Sequence, residues 1–323
     1  MAEAPSTPLH VKHRPRVMLL ANKEKPAVVA AVEAFRPWLA ERAQIVAEPD
    51  VMTMSHDDAM HLPKAEFGLV MGGDGTMLGQ GRRLVDLQLP LLGVNFGKLG
   101  FLAEFTLDDV RTHWDMIIHN RCRTSDRMML EALVLPLDAP QWGGHNENKP
   151  HIPEPTFRAL AMNDVVVTNA APRMIEIGMA IEPRATKVTD ATVFTGDGLI
   201  VSTPSGSTAY NLSAGGPIIS PGVDGICITA ICPQSLAARP IVCHADNEVW
   251  LDLRHGDHGT LLVIDGQESC PLAVNQQVLV RRYTKRLHLI HNPDLSYWSM
   301  LARKMRWAVR PAIHDGRSEN FEI

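Results

Sequence analysis

The chain has 323 residues, 45% of them hydrophobic and 21% charged, with a formal net charge of -5. That length allows two domains or one large one, and the balance is ordinary for a soluble globular protein. A mildly acidic chain argues against a nucleic-acid partner, and the lack of an apolar signal core in residues 1–14 or of any apolar run near membrane length argues against secretion and a membrane partner.

Five cysteines, Cys122, Cys227, Cys232, Cys243 and Cys270, are scattered without a Cys-x-x-Cys pair. Free thiols in a reducing, cytoplasmic location are expected. After a polar tail, Val17-Met18-Leu19-Leu20 reads as a first strand, 27–42 as an alanine-rich helix bent at Pro37, and 45–47 as a weak second strand. Residues 50–63 carry no clear period. Phe67–Met71 is an apolar strand that breaks at Gly72-Gly73-Asp74-Gly75-Thr76 and opens a helix through Met77, Leu78, Arg82, Leu84 and Val85. Bare amides and the positive end of a helix dipole suit phosphate there. The carboxylate of Asp74 repels phosphate and needs its own explanation. It holds a magnesium ion, takes a proton from an attacking hydroxyl, or caps the helix of an ordinary tight turn.

Residues 90–94 form another apolar strand, followed by the glycine-rich loop Asn95-Phe96-Gly97-Lys98-Leu99-Gly100-Phe101-Leu102. Strands alternating with helices predict a parallel, doubly wound sheet, with ligands beyond the carboxyl ends of the strands. Both glycine-rich loops fall at such ends. A helix is expected over 106–121, with Thr106 as N-cap and Asp108 and Asp109 in its first turn.

The texture then changes. Strands are expected at 128–137, 157–168, 174–181, 191–194, 199–202, 225–232, 248–253, 261–265, 278–282 and 287–290, with an exposed loop at 138–155. So many strands with little helix between them predict a β-rich second domain. Tyr297, Leu301, Met305 and Ala308 share one face of a last helix, whose wet side carries Arg303, Lys304 and Arg306. His255-Gly256-Asp257-His258 and the His288/His291 pair read as a hairpin turn and strand residues rather than metal sites. Arg281, Arg282, Lys285 and Arg286 read as a charged strand end that is also able to neutralise phosphate.

The longest informative run is residues 195–221, dense in Ser, Thr and Gly and containing Thr203-Pro204-Ser205-Gly206-Ser207-Thr208-Ala209-Tyr210. Small residues let a ligand approach the backbone, and Tyr210 offers a face for a base or ribose; a crossing loop that needs small residues for packing has the same composition.

Together these segments resemble the NAD kinases. The signature is Gly72–Thr76, then Asn95–Leu102, Asn163-Asp164, Asp197-Gly198, Thr203–Tyr210, Ile231–Leu236 with Arg239-Pro240, and Asp265-Gly266-Gln267, in family order over roughly residues 16–310. The Gly-Gly-Asp-Gly turn alone also occurs in lipid kinases and phosphofructokinases; the Ser-Thr-Ala-Tyr segment together with the glycine-rich loop at 95–102 is specific. The resemblance implies an α/β nucleotide-binding domain at 15–122 and a β-rich, sandwich-like NAD-binding domain at 123–294. It also implies a last helix at 295–313 returning to the first domain, and a tail at 314–323. It implies transfer of the γ-phosphate of ATP to the 2′-hydroxyl of the adenosine ribose of NAD, with Mg²⁺ or another divalent cation accompanying ATP.

By that likeness Asp74 is the general base and Gly75 lies against the ligand. Asn163 and Asp164 hold the adenosine ribose or nearby hydroxyls, while Thr208, Ala209, Tyr210 and Ser213 line the adenine and nicotinamide ends. Asp197 contacts the nicotinamide part, and Arg173 stands near the place of a basic contact. Family members usually assemble as homodimers or homotetramers, so a homo-oligomer is expected. Three positions depart from the pattern: Asp164 where Glu is frequent, Phe96 where Thr is frequent, and Thr195 where many members carry Arg. The last departure implies use of NADH as well as NAD. No Gly-x-x-x-x-Gly-Lys-Ser/Thr or Gly-x-Gly-x-x-Gly run occurs, which sets aside P-loop kinases and ordinary dinucleotide dehydrogenases. A lipid or sugar kinase leaves residues 95–102 and 203–213 unexplained. A regulator that binds dinucleotides without catalysis leaves Asp74 unexplained.

Overall fold

The structure, a computed structural model, describes residues 14–97, 100–143, 152–182 and 192–305. Residues 1–13, Lys98 and Leu99, much of the 138–155 loop, Ala191, Arg306, Ala308 and the 314–323 tail lie outside the described residues. The first sheet is built from β1 (Arg16–Ala21), β2 (Gln44–Ala47), β3 (Phe67–Met71), β4 (Leu91–Val94) and β5 (Thr124–Arg127). Helices α1 (Pro26–Arg42), α2 (His56–Met60), α3 (Asp74–Leu84) and α4 (Leu107–Ile118) pack on it. Helix α1 opens with Pro26 and runs through Pro37. Helix α4 starts at the expected Thr106, whose hydroxyl and the Asp109 carboxylate form a reciprocal capping box. The same device at Ser55 and Asp58 starts α2, a helix the periodicity of 50–63 does not reveal.

The second part contains β6 (Leu130–Val134), β7 (Phe157–Ala161), β8 (Asp164–Asn169), β9 (Ile175–Ile181), β10 (Thr192–Gly196) and β11 (Gly198–Ser202). It continues with α5 (Tyr210–Ser213), β12 (Gly225–Ile231), β13 (Ile241–His244), β14 (Val249–His255), β15 (Thr260–Ile264), β16 (Glu268–Pro271), β17 (Gln277–Arg282), β18 (Leu287–Ile290) and α6 (Tyr297–Met305). The single strand expected over 157–168 is two strands in different sheets, β7 and β8, broken at Met162 and Asn163. Edge strands β13 and β16 were not expected from the sequence, and their mostly exposed residues carry little apolar alternation.

The strands form three sheets, in the orders β2-β1-β3-β4-β18-β5, β10-β9-β14-β17-β6-β7 and β13-β12-β11-β8-β15-β16. The first is parallel except for β5, which runs antiparallel to β18. The other two are antiparallel and face each other. Their inner side chains, such as Leu130, Leu251 and Val280 from one and Val165, Val201 and Ile264 from the other, share one core. The architecture is therefore an α/β layer followed by a β-sandwich. Helix α6 returns to the first part, where Tyr297 meets Phe101 with ring centroids 6.3 Å apart and Lys304 Nζ lies 4.7 Å from the same ring.

Candidate active site

The site forms where the ends of β3 and β4 meet the sandwich. At Gly72 a side chain has no room: an added Cβ would lie 2.2 Å from Thr76 Oγ1. Gly73 is the N-cap of α3, and Asp74 is its first helical residue, so Asp74 does not serve as the cap. Its carboxylate turns instead to the neighbouring loop. Oδ2 accepts from Phe101 N at 2.8 Å, and Oδ1 accepts from Leu102 N at 3.1 Å and Ala103 N at 3.0 Å. Gly100 is pressed against the same group, and a Cβ there would fall 1.8 Å from Asp74 Oδ1. One carboxylate thus ties together the two glycine-rich loops that the sequence places at adjacent strand ends.

The facing wall comes from the sandwich. Just past β15, Asp265 accepts backbone hydrogen bonds from Met162 N (3.0 Å), Asn163 N (2.7 Å) and Asp164 N (3.0 Å). Those bonds make the sharp turn between β7 and β8. Gly206 fits flat on that turn, where a Cβ would be 2.1 Å from Asn163 O. Thr203 Oγ1 donates to Met162 O at 2.6 Å, and Thr203 N donates to Asn163 O at 2.8 Å. Ser207 and Asn211 are fully buried and bond within the 204–219 loop and to Thr229. The packing reading of the Ser/Thr-rich run is met by some of its residues, while others border a cavity. Thr203, Ser207 and Asn211 build the loop, and Ala209 and Tyr210 face open space.

That space is a cavity of about 330 Å³ lined by Asn163, Asp164, Val166, Thr168, Ala209 and Tyr210, with Val263, Asp265 and Gly266 closing it. Asp164, Val166 and Thr168 alternate along β8, so they share the face turned away from the sandwich core. Asp164 is only 4% exposed. Burial, reinforced by the neighbouring charge of Asp265, pushes its carboxyl up to about 7. Tyr210 is 45% exposed, a large ring over a cavity mouth. A second cavity of about 300 Å³ lies along α3, lined by Asn22, Lys25, Gly75, Thr76, Arg83 and Gln267 among others. Gln267 Nε2 crosses between the two parts of the chain and donates to Gly75 O at 2.8 Å.

Of the expected site residues, Asn163, Asp164, Ala209 and Tyr210 gather around the first cavity and Gly75 lines the second. Asp74 sits at the corner and lines neither. Thr208 is half-buried beside Ala209, and its hydroxyl faces Ser205 O at 3.4 Å. Ser213 is exposed at the end of α5. Asp197 is exposed in the turn between β10 and β11, and its carbonyl accepts from Thr168 Oγ1 at 3.1 Å, which puts it beside the cavity wall. Arg173 stands apart in the β8–β9 turn, 75% exposed and 3.6 Å from Asp257. Asp257 itself accepts from Asn169 Nδ2 and Gly259 N and serves the turn between β14 and β15. His288 faces Asp126, and His291 faces the buried Glu104. Thr168, Lys25 and Arg83 were not singled out from the sequence. Arg83 and Lys25 carry no spacing signal, whereas Thr168 follows from the alternation that starts at Asp164.

Comparison with known proteins gives the family. Residues 6–122 match the model of the ATP-NAD kinase N-terminal domain, and residues 162–292 that of the ATP-NAD kinase C-terminal domain. An NAD kinase of Magnetococcus marinus is 33% identical over 301 residues, spanning 90% of this chain and 93% of its own. An NAD kinase of Chromobacterium violaceum is 34% identical over 304 residues, spanning 91% and 97%. Among solved structures, the yeast NADH kinase complexed with NADH has a TM-score of 0.75 at 22% identity, covering 93% of this chain and 90% of that one. The Archaeoglobus fulgidus NAD kinase in complex with ATP has a TM-score of 0.63 at 19% identity, covering 90% and 98%; at these identities both likenesses speak for the fold. With the two family domains in order and relatives a third identical along nearly the whole chain, this protein belongs to the NAD kinase family and is a kinase.

Proposed function

We propose that the protein transfers the γ-phosphate of Mg·ATP to the 2′-hydroxyl of the adenosine ribose of NAD, with Asp74 as general base. What supports this reading is that Gly75, next to Asp74, lines one cavity and is hydrogen-bonded by Gln267, whose chain neighbour Gly266 closes the other. The one under Tyr210 has the lining of a nucleoside site: apolar Val166, Ala209 and Val263, with Asn163 and Asp164 as polar groups. The one along α3 offers the amides of a helix N-terminus and the cations Lys25 and Arg83, which suit phosphates. Mg²⁺ arrives with ATP and offsets charge on the phosphate oxygens.

In this reading NAD lies with its adenosine ribose against Asn163 and Asp164 and its base beneath Tyr210. Thr208 and Ser213 extend that wall, Asp197 and Thr168 bound the nicotinamide end, and Arg173 stays peripheral. Asp74 has about four lone-pair positions, three of which hold the 101–103 amides. The remaining one is the position for the ribose hydroxyl. Accepting that proton as the phosphorus is attacked is worth roughly 10²–10⁴-fold. The amides meanwhile keep the carboxylate from rotating.

A second reading has the same three hydrogen bonds behind it: Asp74 acts only as the strut of the 100–103 loop. Asp74→Asn separates the two. As general base, the residue takes nearly all kcat with it and leaves NAD binding intact; as strut alone, its loss weakens NAD binding at least as much as kcat. One coupled assay with NAD, ATP and Mg²⁺, read through an NADP-specific dehydrogenase, tests the activity itself. Assembly as a homodimer or homotetramer and a cytoplasmic setting belong to the same reading, and sedimentation measures the first. Among the described residues no helix is long and apolar enough to cross a membrane.

A further inference from the structure

We propose that Asp265 is a positioning residue that locks the acceptor wall of the site to the helix that begins with Asp74. This rests on the kinase reading above. The Asp265 side chain has 0% exposure and four hydrogen-bond donors drawn from two parts of the chain. Three are the amides of Met162, Asn163 and Asp164, which set the turn presenting the two acceptor-side residues. The fourth is Arg82 Nη1 at 3.1 Å, two turns along α3 from Asp74. Arg82 is itself buried, and its other arm reaches Glu268 at 2.9 Å.

A rigid helix carries any shift of Arg82 to its own first residue. Asp265 therefore sets the separation between the Asn163–Asp164 turn and the Asp74 carboxylate, the distance on which in-line attack depends. No local element makes this link. The 162–164 turn has no glycine or proline of its own, and its amides are satisfied by a side chain roughly a hundred residues away in sequence. The same charge also bears on Asp164, which shares its cavity with Asp265 and Tyr210.

The test compares wild type, Asp265→Asn and Arg82→Gln by NAD titration calorimetry and by steady-state kinetics at saturating Mg·ATP. Asp265→Asn should raise the NAD Kd and lower kcat, each at least tenfold. It should also move the pH midpoint of NAD affinity downwards, because Asp164 loses a like-charged neighbour. Arg82→Gln leaves the 162–164 turn in place, so it should lower kcat at least tenfold with less than a threefold change in Kd. That split between affinity and turnover is not produced by general loosening, and because Arg82 also lines the cavity along α3, an unchanged KM for Mg·ATP separates positioning from a lost ATP contact. If Asp265→Asn does not fold, the Arg82→Gln split decides the matter alone. Unchanged kcat and Kd in both variants beside an active wild type would overturn the positioning role. A wild type that neither binds nor phosphorylates NAD would overturn the kinase reading, and this proposal with it.

Discussion

Asp164 offers a stability test that needs no substrate. Its carboxyl releases its proton near 7 in the folded chain, against 3.8 as an ordinary side chain. The folded state therefore holds this proton more tightly than the unfolded state. The cost to stability is absent below about pH 4, grows as pH rises, and levels off above about pH 7. A raise of about three units corresponds to roughly 4 kcal/mol at the plateau. Asp164→Asn keeps the shape and has no proton to lose. Between about pH 5 and pH 9 the variant should gain roughly 3 kcal/mol on wild type, since about two of the three units fall in that range. Urea denaturation of ligand-free protein at both pH values measures the difference directly, and titrating groups that do not neighbour Asp164 cancel in the comparison. A stability difference that stays flat with pH, or one that falls, would refute the claim that Asp164 is buried against a neighbouring charge.

Three further outcomes test the site. Gly100→Ala places a methyl where Asp74 Oδ1 now sits, so the carboxylate or its loop must move; kcat should drop by at least about 10²-fold, the scale of a lost general base, in the coupled assay. Chelation with EDTA should abolish phosphorylation reversibly while leaving the melting temperature in place, because the cation enters with ATP; activity that survives chelation would contradict this. NADH should be phosphorylated at a rate comparable to NAD if the Thr195 departure carries the meaning it has in related kinases, and undetectable turnover with NADH would end that expectation.

The fold class was legible because apolar runs and glycine breaks alternate so regularly up to Val94, and because strands crowd together after residue 123. The Thr106 cap was legible from its own local pattern, and Ser55 with Asp58 offered the same pattern in a segment too short to show a helical period. The break between β7 and β8 was not legible, although Asn163-Asp164 are turn-forming residue types, because the flanking apolar run continues on both sides and the bonds that fix the turn come from the distant carboxylate of Asp265. For the site, residue type pointed to Tyr210, and the family resemblance to Asn163, Asp164 and Ala209. They did not reveal that Asp74 is held by three amides of the next loop, because such a bond exists only once β3 and β4 lie side by side. Arg173 shows the opposite limit: a position near a family contact is exposed and turned towards Asp257.

The first sheet is closed by strands from late in the chain: β18 pairs with β4, and β5 pairs with β18. An isolated fragment ending at residue 122 would leave Leu91–Val94, now wholly buried, as an open border with unpaired amides and carbonyls. Such a fragment would recruit strands from its neighbours and clump rather than fold alone. The ribosome must therefore release the chain through Ile290 before the first sheet can be finished, which couples the folding of the two parts.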